Sequence, residues 1–152
     1  MSDRLSIVYR RLDELIFLPR NAKQHDVGAL SSSMDEFGML DPIAVNEQTQ
    51  HDFDGNGRLK SLRAMKLSGN KPPRYVDVDA DGMWLVPTVG GVVLSPLDEE
   101  RAALALNRTH DLGGYDEPEL AKILQDLAAQ MPTSKGLLIP PGSSLWEAQP
   151  LL

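Results

Sequence analysis

Asp52-Phe53-Asp54-Gly55-Asn56-Gly57-Arg58, followed at once by Leu59-Lys60-Ser61-Leu62-Arg63-Ala64-Met65-Lys66, is where this chain concentrates residues that can do chemistry. The pattern predicts a short strand that ends near Asp54, a glycine turn, and a helix. Two glycines let the backbone pass close to a ligand. The first N–H groups of the helix then point at that ligand, and the helix dipole favours an anion there. Arg58 stands where a guanidinium can grip a phosphate through two N–H groups. Taken alone, so short a motif is equally a tight turn with an exposed arginine. Asp54 adjoins the turn and is the first choice for a general base. Asp52 and Glu36 are further acids that can take a proton or hold Mg²⁺.

The same residues imitate half of a calcium loop. Asp52, Asp54, Asn56 and Gly57 fall at loop positions one, three, five and six, and so do Asp77, Asp79, Asp81 and Gly82. Position twelve needs a bidentate glutamate, and it is Arg63 in the first stretch and Thr88 in the second. Arg58, Lys60 and Arg63 would also repel calcium from the first. A hairpin turn is the better reading of Asp79 to Gly82. His25, His51 and His110 are scattered, with no two at ligand spacing, so no histidine metal site is expected.

The elements that must position the turn can be read around it. A strand over 5–9 and a helical turn over 12–15 precede a loop carrying Arg20 and Lys23. Asp26 caps a helix with Val27, Leu30, Met34 and Phe37 at helical spacing, and Gly38 stops it. Pro42 opens a strand through Val45. A polar turn leads to the strand ending at Asp54, and Gly69 ends the helix that follows. Asp81-Gly82 joins two strands over 75–78 and 83–86, and Trp84 is expected in the core. Residues 88–94 are ambiguous because glycines interrupt them. Ser95-Pro96 starts a helix to about Asn107. A last helix carries Leu120, Ile123, Leu124 and Leu127. Beyond Met131, prolines, glycines and serines predict a flexible tail or linker over 131–152, in which Trp146 could anchor a partner.

A chain of 152 residues is one domain by length, assigned here to residues 1–130. Hydrophobic residues make up 41% but aromatics only 5%, so Leu, Val, Ile and Met must do most of the packing. The absence of cysteine excludes disulfides, thiolate zinc and thiol catalysis, and fits a reducing, cytoplasmic compartment. The apolar stretch Ser6 to Tyr9 is too short for a signal peptide, and no run approaches a membrane span. Residues 1–74 hold 11 Lys+Arg against 10 Asp+Glu, whereas residues 75–152 hold 4 against 12, giving the net charge of −7. An acidic second half is a poor general surface for DNA, but a local phosphate site in the first half is compatible with it.

The order of these pieces resembles the ParB/sulfiredoxin superfamily. The resemblance rests on the Pro19-Arg20-Asn21 loop, Phe37-Gly38, Asp41-Pro42-Ile43-Ala44-Val45, Asp54 to Leu59, Gly69, the stretch Ala102 to Thr109, and Tyr115 to Ala121. It covers roughly residues 5–130 and is narrowest toward the stand-alone or methylase-linked ParB-like (nuclease-type) domains of phages and mobile elements. It implies an α/β fold: a small mixed sheet with two or three packed helices. It also implies that Gly55, Asn56, Gly57 and Arg58 cradle the phosphates of a nucleoside triphosphate, CTP or ATP, with Mg²⁺. Arg20 falls on the upstream phosphate box, and Asn107 and Arg108 fall near the family's third nucleotide motif. Sulfiredoxins carry a cysteine where this chain has Asn56, so sulfinic acid reduction is excluded. Segregation-type ParB proteins carry a glutamate there and two successive arginines, so their hydrolysis and clamp closure do not carry over. No helix-turn-helix module fits in the remaining length. The implied role is nucleotide binding in partition, DNA modification or phage DNA handling, with DNA or a DNA-acting protein as partner and a homodimer allowed. Two rivals stand beside it. One is a phosphoryl-transfer enzyme, a nuclease or small-molecule kinase with Asp54 as base. The other is a protein-interaction adaptor without nucleotide binding, which the glycine in place of a second arginine favours.

Overall fold

The computed structural model describes residues 3–130, so the expected tail over 131–152, with Trp146, lies outside the described residues. Among the described residues are six strands and four α-helices: β1 (Ser6–Arg11), β2 (Ile16–Phe17), α1 (Val27–Phe37), β3 (Ile43–Asn46), β4 (His51–Asp54), α2 (Asn56–Leu67), β5 (Asp77–Val78), β6 (Trp84–Val92), α3 (Pro96–Leu112) and α4 (Glu117–Gln130). A 3-10 turn, Leu12–Glu14, links the first two strands. This is the expected α/β architecture, with four helices rather than two or three. The chain divides into two compact units, one ending at Arg108 and the other beginning at Thr109. No helix among the described residues is long and apolar enough to cross a membrane.

In the first unit the strands form one mixed sheet in the order β1-β6-β3-β4-β2. β1 and β6 are antiparallel, β6 and β3 parallel, β3 and β4 antiparallel, and β4 and β2 parallel. β5 pairs with the start of β6, Val78 opposite Trp84, through the hairpin that Asp81-Gly82 predicts. The Asp79 carboxylate accepts the N–H groups of Asp81 at 2.9 Å and Met83 at 3.0 Å, which makes this a turn.

β6 is the main departure from expectation. It is one nine-residue strand, not a return strand followed by an ambiguous piece. Pro87 reads as a breaker, yet it falls where the partner along one edge changes, after β5 ends opposite Leu85 and before β3 begins opposite Thr88. A proline is tolerated where no ladder bond is required of it. α3 likewise runs five residues beyond Asn107.

Side-chain alternation sends the two faces of the sheet into separate cores. One core joins Ile43 and Val45 of β3, Trp84 and Val86 of β6, Met34 of α1, and Leu59, Leu62 and Met65 of α2. The other joins Leu18, Phe53 and Ala103, with Ala44, Val92, Leu94 and Leu106 packed against them. α1 is capped as its sequence predicts: Asp26 accepts the Ala29 N–H at 2.9 Å, and the Gly38 N–H closes onto the Met34 carbonyl. Met34 is its buried anchor, whereas Phe37 is half exposed.

The start of α3 is fixed by polar groups. Asn46, fully buried, donates to the Leu94 carbonyl and to Glu99, both at 2.9 Å. Glu99 also accepts from Thr49 and holds His51 Nδ1 at 2.9 Å. Burial alone would raise the Glu99 carboxyl, but hydrogen bonds from Thr49, His51 and Asn46 hold it below its ordinary value.

In the second unit, Asp116 caps α4 by accepting the Glu119 N–H at 3.0 Å. Leu120 and Leu124 are its buried positions.

Leu62 is fully enclosed where α2 meets the sheet. Leu62→Ala is expected to cost about 2–5 kcal/mol by lost transfer energy plus the cavity left behind. Urea denaturation checks this, and a loss under about 1 kcal/mol would contradict the packing described.

Candidate functional site

α2 begins directly from the end of β4, and the glycine between them carries the bend. Gly55 has φ of 135°, and a Cβ there would sit 2.9 Å from the Ile43 side chain. The first bond of the helical ladder runs from the Leu59 N–H to the Gly55 carbonyl at 2.9 Å. The N–H groups of Asn56, Gly57 and Arg58 therefore precede the ladder, as the first donors of any helix do.

The Asn56 side chain faces inward. Its Nδ2 donates to the Asp52 carbonyl at 2.7 Å and its Oδ1 accepts the Leu18 N–H at 3.1 Å. That amide is committed to the fold, so what Asn56 can offer a ligand is its backbone.

Arg58 is folded back over the turn, its side chain only 16% exposed. It donates to the carbonyls of Pro42 and Asp54 at 3.2 Å each and pairs with Asp41 at 2.9 Å. Its Nε is buried without a partner. Arg58 lines a cavity of about 210 Å³ with Leu30, Phe37 and Asp41 among others. Asp54, half buried, closes β4 beside it.

Arg20 and Asn107 are brought together in a different cavity, of about 290 Å³, also lined by Leu18, Asn21, Glu100 and Ala103. Arg20 is well exposed and pairs with Glu100 at 3.0 Å. Arg108 lies on the exposed side of α3 and lines neither cavity. The two cavities share no lining residue, so the structure does not place Arg20 and Arg58 around one hollow.

The segment over 18–25 nevertheless ties the two regions together. Leu18 is bonded to Asn56 at one end. At the other, the His25 ring lies against Gly57, where a Cβ would come within 2.6 Å of Cγ and Nδ1. Only glycine admits that ring. Partial burial pushes the His25 imidazole below its ordinary value, and Lys23, Arg58 and Lys60 push it further, so the first turn of α2 is electropositive. Scattered histidines give no metal signal, and that is why sequence reasoning passed over His25. Its position between the Arg20 box and the Asp26 cap was the available clue.

Asp52, expected from sequence as an acid that can take a proton or hold Mg²⁺, is placed where it can do neither for a ligand in solvent. It is fully buried behind the turn, and no side chain hydrogen-bonds to either carboxylate oxygen. Burial pushes its carboxyl up to about 7, and the charge of Asp54 adds to the rise, while Arg58, the Asp54 backbone N–H and Arg63 pull the other way. A carboxylate enclosed in this way is neither a calcium ligand nor a solvent-facing base.

A pH signature follows. The folded chain keeps a proton on Asp52 that the unfolded chain releases above its ordinary value of 3.8, so the folded state binds more protons between there and about 7. Stability is present below that window and falls as pH rises through it, by up to about 4 kcal/mol. Asp52→Asn is expected to remove this decline relative to the wild type in denaturant melts across the window. Parallel profiles for the two proteins would contradict it.

No family model matches the chain. A curated relative does: the chain is 34% identical over 70 residues to the ParB-like nuclease domain-containing protein YnaK of Escherichia coli (strain K12), a match covering 44% of this chain and 79% of that protein. With the α/β sheet and the strand–glycine–helix turn, this similarity settles the family: the chain belongs to the ParB-like nuclease domain proteins.

Proposed function

We propose that the chain binds a nucleoside triphosphate, CTP or ATP with Mg²⁺, at the first turn of α2, and that it serves a DNA-related process such as partition, modification or phage DNA handling. The observation that carries this reading is the 18–25 segment. It is pinned at Leu18 and at His25 to the same helical turn, whose first N–H donors precede the helical ladder, and Lys23 acts on the His25 ring there. Arg20, on the same segment, rests on Glu100 in the neighbouring cavity. The N–H groups of Gly57 and Arg58 take phosphate oxygens. Arg58 exchanges Asp41, which is 75% exposed and a weak partner, for the ligand. Arg20 closes on the outer phosphates, and the cavity it shares with Asn107 takes the rest of the nucleotide. Arg108 stays outside that contact in the arrangement described. Mg²⁺ would be held by the phosphates and by Asp54, since Asp52 is enclosed. When bound, the ion neutralises phosphate charge.

A second reading is favoured by the relative's name, which contains the word nuclease. Here Asp54 would act as the base in phosphodiester hydrolysis, with the same turn holding the scissile phosphate.

Calorimetric titration with CTP, ATP and GTP plus Mg²⁺ tests the first reading. Saturable binding is expected, and Arg58→Ala is expected to weaken it roughly 10- to 100-fold by removing charge-assisted hydrogen bonds. Arg20→Ala is expected to weaken it less, because that side chain is 84% exposed. Asp54→Asn separates the readings: turnover lost with binding retained supports catalysis. No binding of any of the three nucleotides would overturn the proposal and bring the adaptor reading forward.

A further inference from the structure

His25 is exposed to solvent, yet its ring packs on the start of α2. Its ring lies on the backbone of Gly57, the second residue of α2, in a contact that any Cβ would forbid. Leu30 of α1 approaches the same point, with its Cδ1 2.8 Å from where that Cβ would stand. The charged groups that act on the ring are Lys23 from its own segment and Arg58 and Lys60 from α2. The neighbouring acid, Asp26, caps α1 through the Ala29 N–H. An imidazole beside three cations and a helix N-terminus is poorly placed to carry charge unless an anion comes to it.

We infer that His25 is a phosphate-contacting residue of this site, which takes up a proton as a dianionic terminal phosphate binds. The inference rests on the reading of the α2 turn as a phosphate site. Without ligand, Lys23, Arg58 and Lys60 disfavour the imidazolium. A dianion among them reverses the local field, and the imidazolium then becomes a fourth cation on the phosphate. Linkage gives the sign: the ligand favours the protonated ring, so the ligand binds more tightly at lower pH. Gly57, which stands where segregation-type relatives carry an arginine, is what makes room for this ring.

The test follows the His25 ring by NMR in the full chain, free and saturated with whichever of CTP, ATP or GTP binds in the presence of Mg²⁺. Proton uptake is measured alongside by calorimetry in buffers of different ionisation enthalpy. His25→Gln is the companion variant, and it controls for protonation of the nucleotide itself. The His25 titration midpoint is expected to move to higher pH on binding. Between about pH 8 and about pH 6 the wild type is expected to gain about tenfold more in affinity than His25→Gln. A purely structural role for the ring would leave the midpoint unmoved. Nucleotide binding that Arg58→Ala weakens, with a His25 midpoint that stays in place, overturns this inference alone. Absence of nucleotide binding overturns it together with the site reading.

Discussion

Asn56 sits 7% exposed at the start of α2, donates to the Asp52 carbonyl and accepts the Leu18 N–H, and through these two bonds one side chain sets where β4, α2 and the 18–25 segment meet. Everything proposed for the site depends on that meeting point. The bond to Asp52 holds the helix start against the end of β4, where Gly55 supplies a backbone angle that residues with a Cβ rarely adopt. The bond to Leu18 brings the upstream segment onto the same turn. Losing the amide would take the Asn56 bond from a buried N–H and a buried carbonyl, and each group left unpaired by it would cost about 1–3 kcal/mol.

The arrangement also explains the buried charge. Directing Asn56 inward to the Asp52 backbone leaves the Asp52 side chain enclosed beneath α2, with Arg58 and Arg63 near enough to pull on it but not hydrogen-bonded to it. The fold tolerates this because the carboxyl can keep its proton up to about 7. Two acids two residues apart thus have different environments. Asp52 is sealed behind the turn, while Asp54 ends the strand beside it. Of the two, only Asp54 is placed to meet a ligand or a metal ion.

Much of the scaffold was legible because local chemistry decided it. Asp26 and Gly38 bound α1, Asp81-Gly82 makes a hairpin, and Ser95 accepts the Asp98 N–H at the start of α3. The failures share a cause, since tertiary partners overrode local signals. β6 passes through Pro87 and two glycines because β1 pairs with it along most of its length. The inward amide of Asn56, the enclosure of Asp52 and the approach of His25 to Gly57 all depend on segments distant in sequence, and no spacing rule shows them. The sequence pattern did place the glycine turn at the start of a helix, while Arg20 and Asn107, named through the family resemblance, line one cavity that is separate from that of Arg58.

The central claim is that the first turn of α2 binds phosphate, and amide chemical-shift mapping of the full chain with CTP, ATP and GTP plus Mg²⁺ tests it most directly. The account predicts that the largest shifts fall on the N–H groups of Asn56, Gly57 and Arg58, with smaller ones along the 18–25 segment. Shifts confined to other surfaces, or none with any of the three nucleotides, would contradict it.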